Sequence, residues 1–296
     1  MKITLPIHNL EKHPVSHIDI PPGELGDISS SGTTAVISDI HGNLEALDAV
    51  LEDIDSLGVE NLVSLGDQVG YGADPERVIQ RLIIRNATCL MGNHELALLD
   101  DHCLGTFNPG AAQAVRMHRK LLSEESMNFI RTLPRSIVKH GARFVHGLPP
   151  GSILEYVSLT PDKKLMRIMA ILKQTMSFTG HTHLMMWFEL TEILNNPEDI
   201  SQSRIGSKLS LNNLKRESFN AATSRPLTLR KTRRYLVNSG SVGQPRDGDW
   251  RAKYLIWNRD RGIILPRYVP YDNLTAAGKI KKRGLPGHFA EKLLYG

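Results

Sequence analysis

Cysteine is nearly absent: the 296 residues hold two, Cys89 and Cys103. Two thiols outside any C-x-x-C spacing build no disulfide framework, so a reducing cytoplasm is the expected compartment. Long apolar runs are missing too. No stretch approaches the ~18 apolar residues a membrane span needs, and Met1 to Ile7 is too short for the apolar core of an export signal. A soluble, unexported protein with no membrane partner is expected. Nor is the composition extreme, since 41% hydrophobic and 23% charged residues exclude the disordered and fibrous classes. A chain of this length can bury a sizeable core, as one large α/β domain or two smaller ones.

One segment lacks acid. From Arg204 to Arg234, nine Lys or Arg (Arg204, Lys208, Lys215, Arg216, Arg225, Arg230, Lys231, Arg233, Arg234) face a single Glu217, a local excess of +8 in a chain of formal net charge +5. The rest of the chain therefore carries about −3. Such a segment attracts phosphate-rich partners, nucleic acid among them, and a solvated loop is the plain alternative.

Residues 1–32 lack either hydrophobic period and read as an irregular N-terminal extension. From Thr33 onward the pattern becomes regular. A strand from Thr33 to Asp39 leads into a helix with apolar positions Leu44, Leu47, Val50, Leu51, Ile54 and Leu57, ended by Gly58. A strand follows over Asn61 to Leu65. Asp74 as N-cap and Pro75 at the first helical position open a helix to Ile84, and Ala87 to Met91 is a third strand. This β-α-β-α-β run argues for right-handed crossovers and a mostly parallel sheet. Asn108-Pro109 and Ser123-Glu124-Glu125 open two more helices, stopped by Pro134. Strands resume at Ser136 to Lys139 and Arg143 to His146 around a turn at Gly141, an antiparallel pair. Thr160-Pro161 caps a helix through Leu172. Strands follow at Met176 to Thr179, at Leu184 to Leu190 with Arg234 to Asn238 as its partner, at Lys253 to Trp257 and at Gly262 to Val269. The tail from Leu274 to Leu294 reads as helix broken near Gly284-Leu285-Pro286-Gly287. No long linker divides the chain, so one domain over 33–296 with a basic insertion at a hairpin tip, about 191–232, is the simplest account.

Five strand ends carry polar clusters: Ser38-Asp39-Ile40-His41-Gly42-Asn43, Gly66-Asp67, Gly92-Asn93-His94-Glu95, Val145-His146-Gly147 and Gly180-His181-Thr182-His183. Residues two apart in a strand share a side, so Asp39 and His41 are expected to face one ion. Any one of these clusters is weak, because a lone His at a strand end is usually a polar surface residue. Five in order are not. Imidazole nitrogen with carboxylate or amide oxygen suits divalent Mn, Fe, Zn or Co, and Asp39, His41, Asp67, Asn93, His146, His181 and His183 supply enough donors for two ions if one carboxylate bridges. Strand carboxyl ends are where open α/β sheets form ligand crevices. The glycines beside the donors, Gly66, Gly92, Gly147 and Gly180, allow the sharp turns that aim them.

These blocks resemble the calcineurin-like, dinuclear metallophosphoesterases, in order from Asp39 to His183. Asn238 to Asp249 and Gly284-Leu285-Pro286 resemble a bacterial branch with diadenosine-tetraphosphatase-like and phosphodiesterase-like members. The resemblance implies a four-layer α/β/β/α sandwich of two mixed β-sheets flanked by helices. It implies that Asp39, His41 and His183 hold a first metal, that Asp67 bridges, and that Asn93, His146 and His181 hold a second, with manganese favoured. It also implies hydrolysis of a phosphodiester, phosphomonoester or nucleotide phosphoanhydride by in-line attack of a bridging hydroxide, between ions roughly 3.5 to 4 Å apart. His94 stands near the leaving oxygen in such enzymes and is the expected proton donor, with an ordinary pKa near ~6.5. Tyr71, His118, Gln244 and Arg246 are candidate substrate contacts, Arg246 because a guanidinium can fork a phosphate. The family's phosphatases carry Arg in a G-D-x-x-D-R-G block where this chain has Gly66-Asp67-Gln68-Val69-Gly70-Tyr71-Gly72. That departure speaks against a phosphoprotein substrate and for a small phosphodiester or another phosphoanhydride. Ser239 in place of Pro before Gly240 touches no ligand. Two rival readings are a nuclease or RNA-processing enzyme using the basic insertion, and a non-catalytic scaffold, against which the full ligand set with His94 speaks.

Overall fold

The computed structural model describes residues 32–191 and 211–296. The expected N-terminal extension and residues 192–210 of the basic insertion lie outside these. Thr33–Ile37 (β1) is apolar or Thr throughout and buried at every position, as expected of a strand covered on both faces. Leu44–Ser56 (α1) starts where the Asn43 side chain accepts from Ala46 N, and buries Leu47, Val50, Leu51 and Ile54 at helical spacing. Asn61–Ser64 (β2), Pro75–Ile84 (α2) and Thr88–Cys89 (β3) complete the first crossovers. Asp74 precedes Pro75 as anticipated but makes no capping bond; its carboxylate instead takes Lys279 at 2.6 Å.

Four helices follow, at Asn93–Leu99 (α3), Asp101–Leu104 (α4), Pro109–Leu121 (α5) and Glu124–Thr132 (α6). Asn108 and Ser123 cap α5 and α6 through their side chains. The second half runs Ser136–Lys139 (β4), Ala142–Val145 (β5), Asp162–Ile171 (α7), Met176–Thr179 (β6), Met185–Leu190 (β7), Leu214–Ser218 (β8), Leu227–Thr228 (β9) and Arg234–Ser239 (β10). It ends with Ala252–Asn258 (β11), Ile263–Val269 (β12), Asn273–Lys282 (α8) and Gly287–Tyr295 (α9).

Two six-stranded sheets result, ordered β3-β2-β1-β11-β12-β9 and β4-β5-β6-β10-β7-β8. Both are mixed. In the first, β1, β2 and β3 run parallel and β11, β12 and β9 join antiparallel. In the second, β5, β6 and β10 run parallel, with β4, β7 and β8 antiparallel. The facing sides share one apolar core, Val36, Val63 and Trp257 from one sheet against Phe144, Phe178 and Val237 from the other. Burial of each such large side chain stabilises by about 1.5 to 3 kcal/mol. Helices α1, α2, α5, α8 and α9 cover the outer side of the first sheet, and α7 covers the second through Leu165, Met166 and Met169 against Phe188 and Leu236. The layers are therefore α/β/β/α. No helix among the described residues is long and apolar enough to cross a membrane.

The described part of the basic insertion departs from a free hairpin tip. Leu214–Ser218 pairs along β7, and Leu227–Thr228 pairs with β12, so the segment adds an edge strand to each sheet. Phe219, Leu227 and Leu229 pack against the inter-sheet core. Polar Lys215, Arg216 and Glu217 hide this in the sequence, because an edge strand can be held by backbone bonds with hardly any buried side chain.

Candidate metal centre

The parallel strands of both sheets end at one edge of the sandwich, and the loops leaving those ends carry every candidate donor. The expected strand pleat does not aim them. β1 stops at Ile37, and Asp39, His41, Asp67, His181 and His183 all lie in the left-handed region, with φ of 55°, 51°, 54°, 68° and 60°. Backbone strain of this kind costs of order 1 kcal/mol or more per residue and persists only where neighbours enforce it. Here the loops are stitched together: Asp39 N donates to Gly66 O at 3.1 Å, His41 N to Asp67 O at 2.9 Å, and Gly243 N to Asp39 O at 2.9 Å. Of the flanking glycines, Gly66 needs its φ of 126°, whereas Gly92 is needed for room, since a Cβ there would stand 2.2 Å from Asp67 Oδ1.

The donors converge. Asp39, His41 and His183 form one cluster, Asp67, His146 and His181 another, and His41, Asp67 and His94 a third, each with ligand atoms within 4.8 Å of one another and all buried. Asp67 Oδ2 stands between them, 3.7 Å from His41 Nε2 and 3.3 Å from His146 Nε2. Asn93 Oδ1 lies 3.2 Å from His146 Nε2, and His181 Nδ1 also 3.2 Å from it. Every one of the seven expected ligand residues is in this group.

The first cluster fits a cation. His41 Nδ1 is bonded to Val69 O and His183 Nδ1 to Gln244 O, which leaves lone pairs on both Nε2 atoms when the rings are neutral. Those two Nε2 atoms face each other at 3.2 Å, and Asp39 Oδ1, buried without a hydrogen-bond partner, stands 3.2 Å from His183 Nε2. Three acceptors aimed at one point suit a positive centre. In the second cluster His181 Nε2 is bonded to Leu154 O, so its Nδ1 is likewise an acceptor.

Electrostatics agree. Burial drives the His41, His94 and His181 rings toward the neutral form that a ligand needs, His94 to about 4 and His181 to about 3. His146 is the exception: burial opposes its charge, but the Asp67 carboxylate outweighs it and holds the ring up to about 9. Burial likewise opposes ionisation of Asp39 and Asp67, yet His183 beside Asp39 and His146 beside Asp67 hold both carboxyls below their ordinary range.

The candidate substrate contacts divide. Tyr71 packs its ring 4.4 Å from that of His41 and 4.7 Å from that of His94, and burial pushes its phenol up to about 12. Arg246 Nη2 donates to Tyr71 Oη at 3.4 Å. Gln244 is present through its backbone, the carbonyl that orients His183. His118 is placed elsewhere than expected. Fully buried, it accepts from Gly70 N at 3.0 Å and is bonded to Gly72 O at 2.9 Å, so both ring nitrogens are spent on the loop that carries Tyr71. No donor is left for a substrate.

Three contributors were not anticipated. Glu95 is fully buried, and its carboxylate accepts from Asp67 N at 2.8 Å, Gly92 N at 2.8 Å and Val69 N at 3.1 Å. Burial, then the nearby Asp67, raise it to about 7. Its position three residues after the N-cap Gly92 was the available signal. Tyr156 stacks on His181 with ring centroids 3.8 Å apart, and Phe107 meets His94 edge-on at 4.8 Å. Neither has a motif.

Residues 32–185 match the family of calcineurin-like phosphoesterases. The chain belongs to that family. It is 35% identical over 271 residues to an uncharacterised protein of Methanocaldococcus jannaschii, covering 88% of this chain and 97% of that one. A metallophosphoesterase from Sphaerobacter thermophilus shares the structure with a TM-score of 0.70 at 28% identity, over 89% of this chain and 98% of the other. A hypothetical protein from Pyrococcus horikoshii OT3 shares the fold at a TM-score of 0.62 and 20% identity, over 89% and 98%. This phosphoesterase is accordingly a hydrolase of a metal-dependent family, and its three donor clusters are candidate metal-binding groups.

Proposed function

We propose that this phosphoesterase hydrolyses a phosphate ester or nucleotide phosphoanhydride of a small molecule at a pair of divalent ions. Asp39, His41 and His183 hold one ion, Asn93, His146 and His181 the other, and Asp67 joins them. The observation that carries this reading is the position of Asp67 Oδ2, within 3.7 Å of His41 Nε2 and 3.3 Å of His146 Nε2. Bound divalent ions clamp phosphoryl oxygens and lower the pKa of water so that a nucleophile exists near neutral pH. Each half of the donor set offers nitrogen and oxygen and no thiolate, which suits Mn, Fe, Zn or Co, with Mn assigned first. The described chain acts as one catalytic domain, because donors from Asp39 to His183 and the orienting Gln244 carbonyl meet in one crevice.

The chain's own residues order the rest. Glu95 fixes the backbone on both sides of Asp67. His94, 2% exposed with Nδ1 unpartnered and Nε2 3.9 Å from Asp67 Oδ2, is the group we assign to the leaving oxygen. Burial keeps that ring neutral at pH 7, so the negative charge of a bound phosphate has to raise its proton affinity before it can act as an acid. Both cysteines are buried and free, in keeping with a cytoplasmic assignment.

Purified protein loaded with Mn²⁺ and assayed on p-nitrophenyl phosphate, bis-p-nitrophenyl phosphate and diadenosine tetraphosphate tests the reading. Turnover of at least one, abolished by chelation and restored by metal, is expected. Undiminished activity in protein shown metal-free by elemental analysis overturns it.

A further inference from the structure

We infer that Arg246 and Tyr71 form an anion subsite for a doubly charged terminal phosphate, supplying from the far end of the chain the guanidinium missing from the loop after Asp67. This deepens the phosphoesterase reading and rests on it. The loop Gly66-Asp67-Gln68-Val69-Gly70-Tyr71-Gly72 contains no cation. Arg246 arrives from the β10–β11 connection, 175 residues beyond Tyr71, and donates to its hydroxyl at 3.4 Å.

The neighbouring cations, Arg251 in that connection and Lys253 in β11, are committed. Arg251 Nη2 pairs with Asp249 Oδ2, and Lys253, fully buried, reaches Asp247 Oδ1 at 2.9 Å and Asp249 O. Arg246 alone is exposed and has no carboxylate within ion-pairing distance among the described residues. A guanidinium has five N–H donors, so the bond to Tyr71 leaves most of them for a ligand. Because Tyr71 accepts in that bond, its own hydroxyl hydrogen is also free to donate.

Position points the pair at the centre. Tyr71 is 8% exposed, and its ring leans on His41 and His94. It is held left-handed at φ 57°, between two glycines whose N–H and C=O are tied to His118. The phenol is therefore a fixed post, and Arg246 rests against it at the side of the donor clusters. A phosphomonoester or the end phosphate of a nucleotide carries close to two charges at neutral pH, a diester one. An added guanidinium, able to fork two phosphate oxygens, favours the more highly charged group.

The Mn²⁺-loaded protein and its Arg246→Ala, Arg246→Lys and Tyr71→Phe variants are titrated calorimetrically with inorganic phosphate. They are also assayed on p-nitrophenyl phosphate and bis-p-nitrophenyl phosphate, with metal content measured in parallel. Loss of a hydrogen-bonded charge contact corresponds to roughly a tenfold to hundredfold loss of affinity, expected for phosphate and for kcat/KM on the monoester in Arg246→Ala. On the diester the loss should stay below about fivefold, with Arg246→Lys and Tyr71→Phe intermediate and metal content unchanged. Arg246→Ala protein that binds phosphate as tightly as the parent, or loses the two esters equally, overturns the subsite. Should the parent turn over neither ester nor diadenosine tetraphosphate, the proposed reaction at the metal pair fails, while the phosphate titration still decides the subsite.

Discussion

At Asp67 one carboxylate does two jobs. Oδ1 accepts from His94 N at 3.0 Å, which fixes the side chain, and Oδ2 faces both histidine groups. Asp67→Ala removes the joining oxygen and leaves His41 and His146 without the carboxylate they share. Metal content measured after gel filtration should fall from two ions toward none, and turnover by at least about 10³-fold, since charge stabilisation by the metals is worth several kcal/mol. A variant that retains both ions and full rate would remove the bridging assignment. His94 gives the opposite signature. His94→Ala should keep both ions yet lose roughly 10² to 10⁴ in rate on alkyl phosphates, and much less on p-nitrophenyl esters whose leaving group needs no proton. Equal losses across leaving groups would assign His94 to binding instead. The seven proposed ligands were legible at this scale, because they stand in short glycine-bearing blocks that resemble those of a known family. The reason they converge was not, since it lies in left-handed backbone at Asp39, His41 and Asp67 that no strand pleat foretells.

The element that sets the site is the loop from Asp67 to Gly72, and two buried side chains hold it. Glu95 takes the N–H groups of residues 67 and 69, and His118 takes the N–H of 70 and the C=O of 72. The helix bearing His118 was legible from Asn108-Pro109, but the role of the side chain was not, because only the folded loop supplies its partners. His118 serves as a neutral ring: burial pushes it down to about 4 from an ordinary 6.5, and the Gly70 bond needs Nδ1 unprotonated. Between those two values the unfolded chain binds a proton that the folded chain refuses. Stability from this group is thus complete above the higher pH and is lost as pH falls toward the lower. His118→Asn should cost about 1 to 3 kcal/mol at pH 7.5, for a buried N–H or C=O left unpaired. It should also flatten the fall of the urea midpoint between pH 7 and 5, measured on chelated protein. Other buried histidines titrate in both proteins, so the difference isolates this ring. Parallel pH curves would show that His118 does not remain neutral.

For the whole molecule, the basic segment bears on what class of phosphate the enzyme meets. Its charge was legible, but its structure was not, because backbone pairing at an edge leaves hardly any hydrophobic trace. Sewn into both sheets through β8 and β9, it cannot be deleted without stripping an edge strand from each. Four of its nine cations are engaged within the fold. Lys215 pairs with Glu217 at 2.8 Å, Arg216 with Asp162 at 2.6 Å and Arg233 with Glu189 at 3.8 Å, while Arg234 bonds the carbonyls of Leu172 and Gln174. Arg225, Arg230 and Lys231 are exposed and have no carboxylate partner among the described residues. Three cations on a single-stranded backbone give a log–log salt slope of about −2, and adding Arg204 and Lys208 about −3.5, whereas all nine would give about −6. Retention of the protein on an oligonucleotide, followed against salt, should show the shallow slope and vanish in Arg225→Glu/Arg230→Glu/Lys231→Glu. Hydrolysis of p-nitrophenyl esters by that triple variant should match the parent, because none of the three is a donor of the clusters and their segment supplies edge strands. A slope near the steeper limit, together with oligonucleotide cleavage that the triple variant loses, would instead make nucleic acid the substrate.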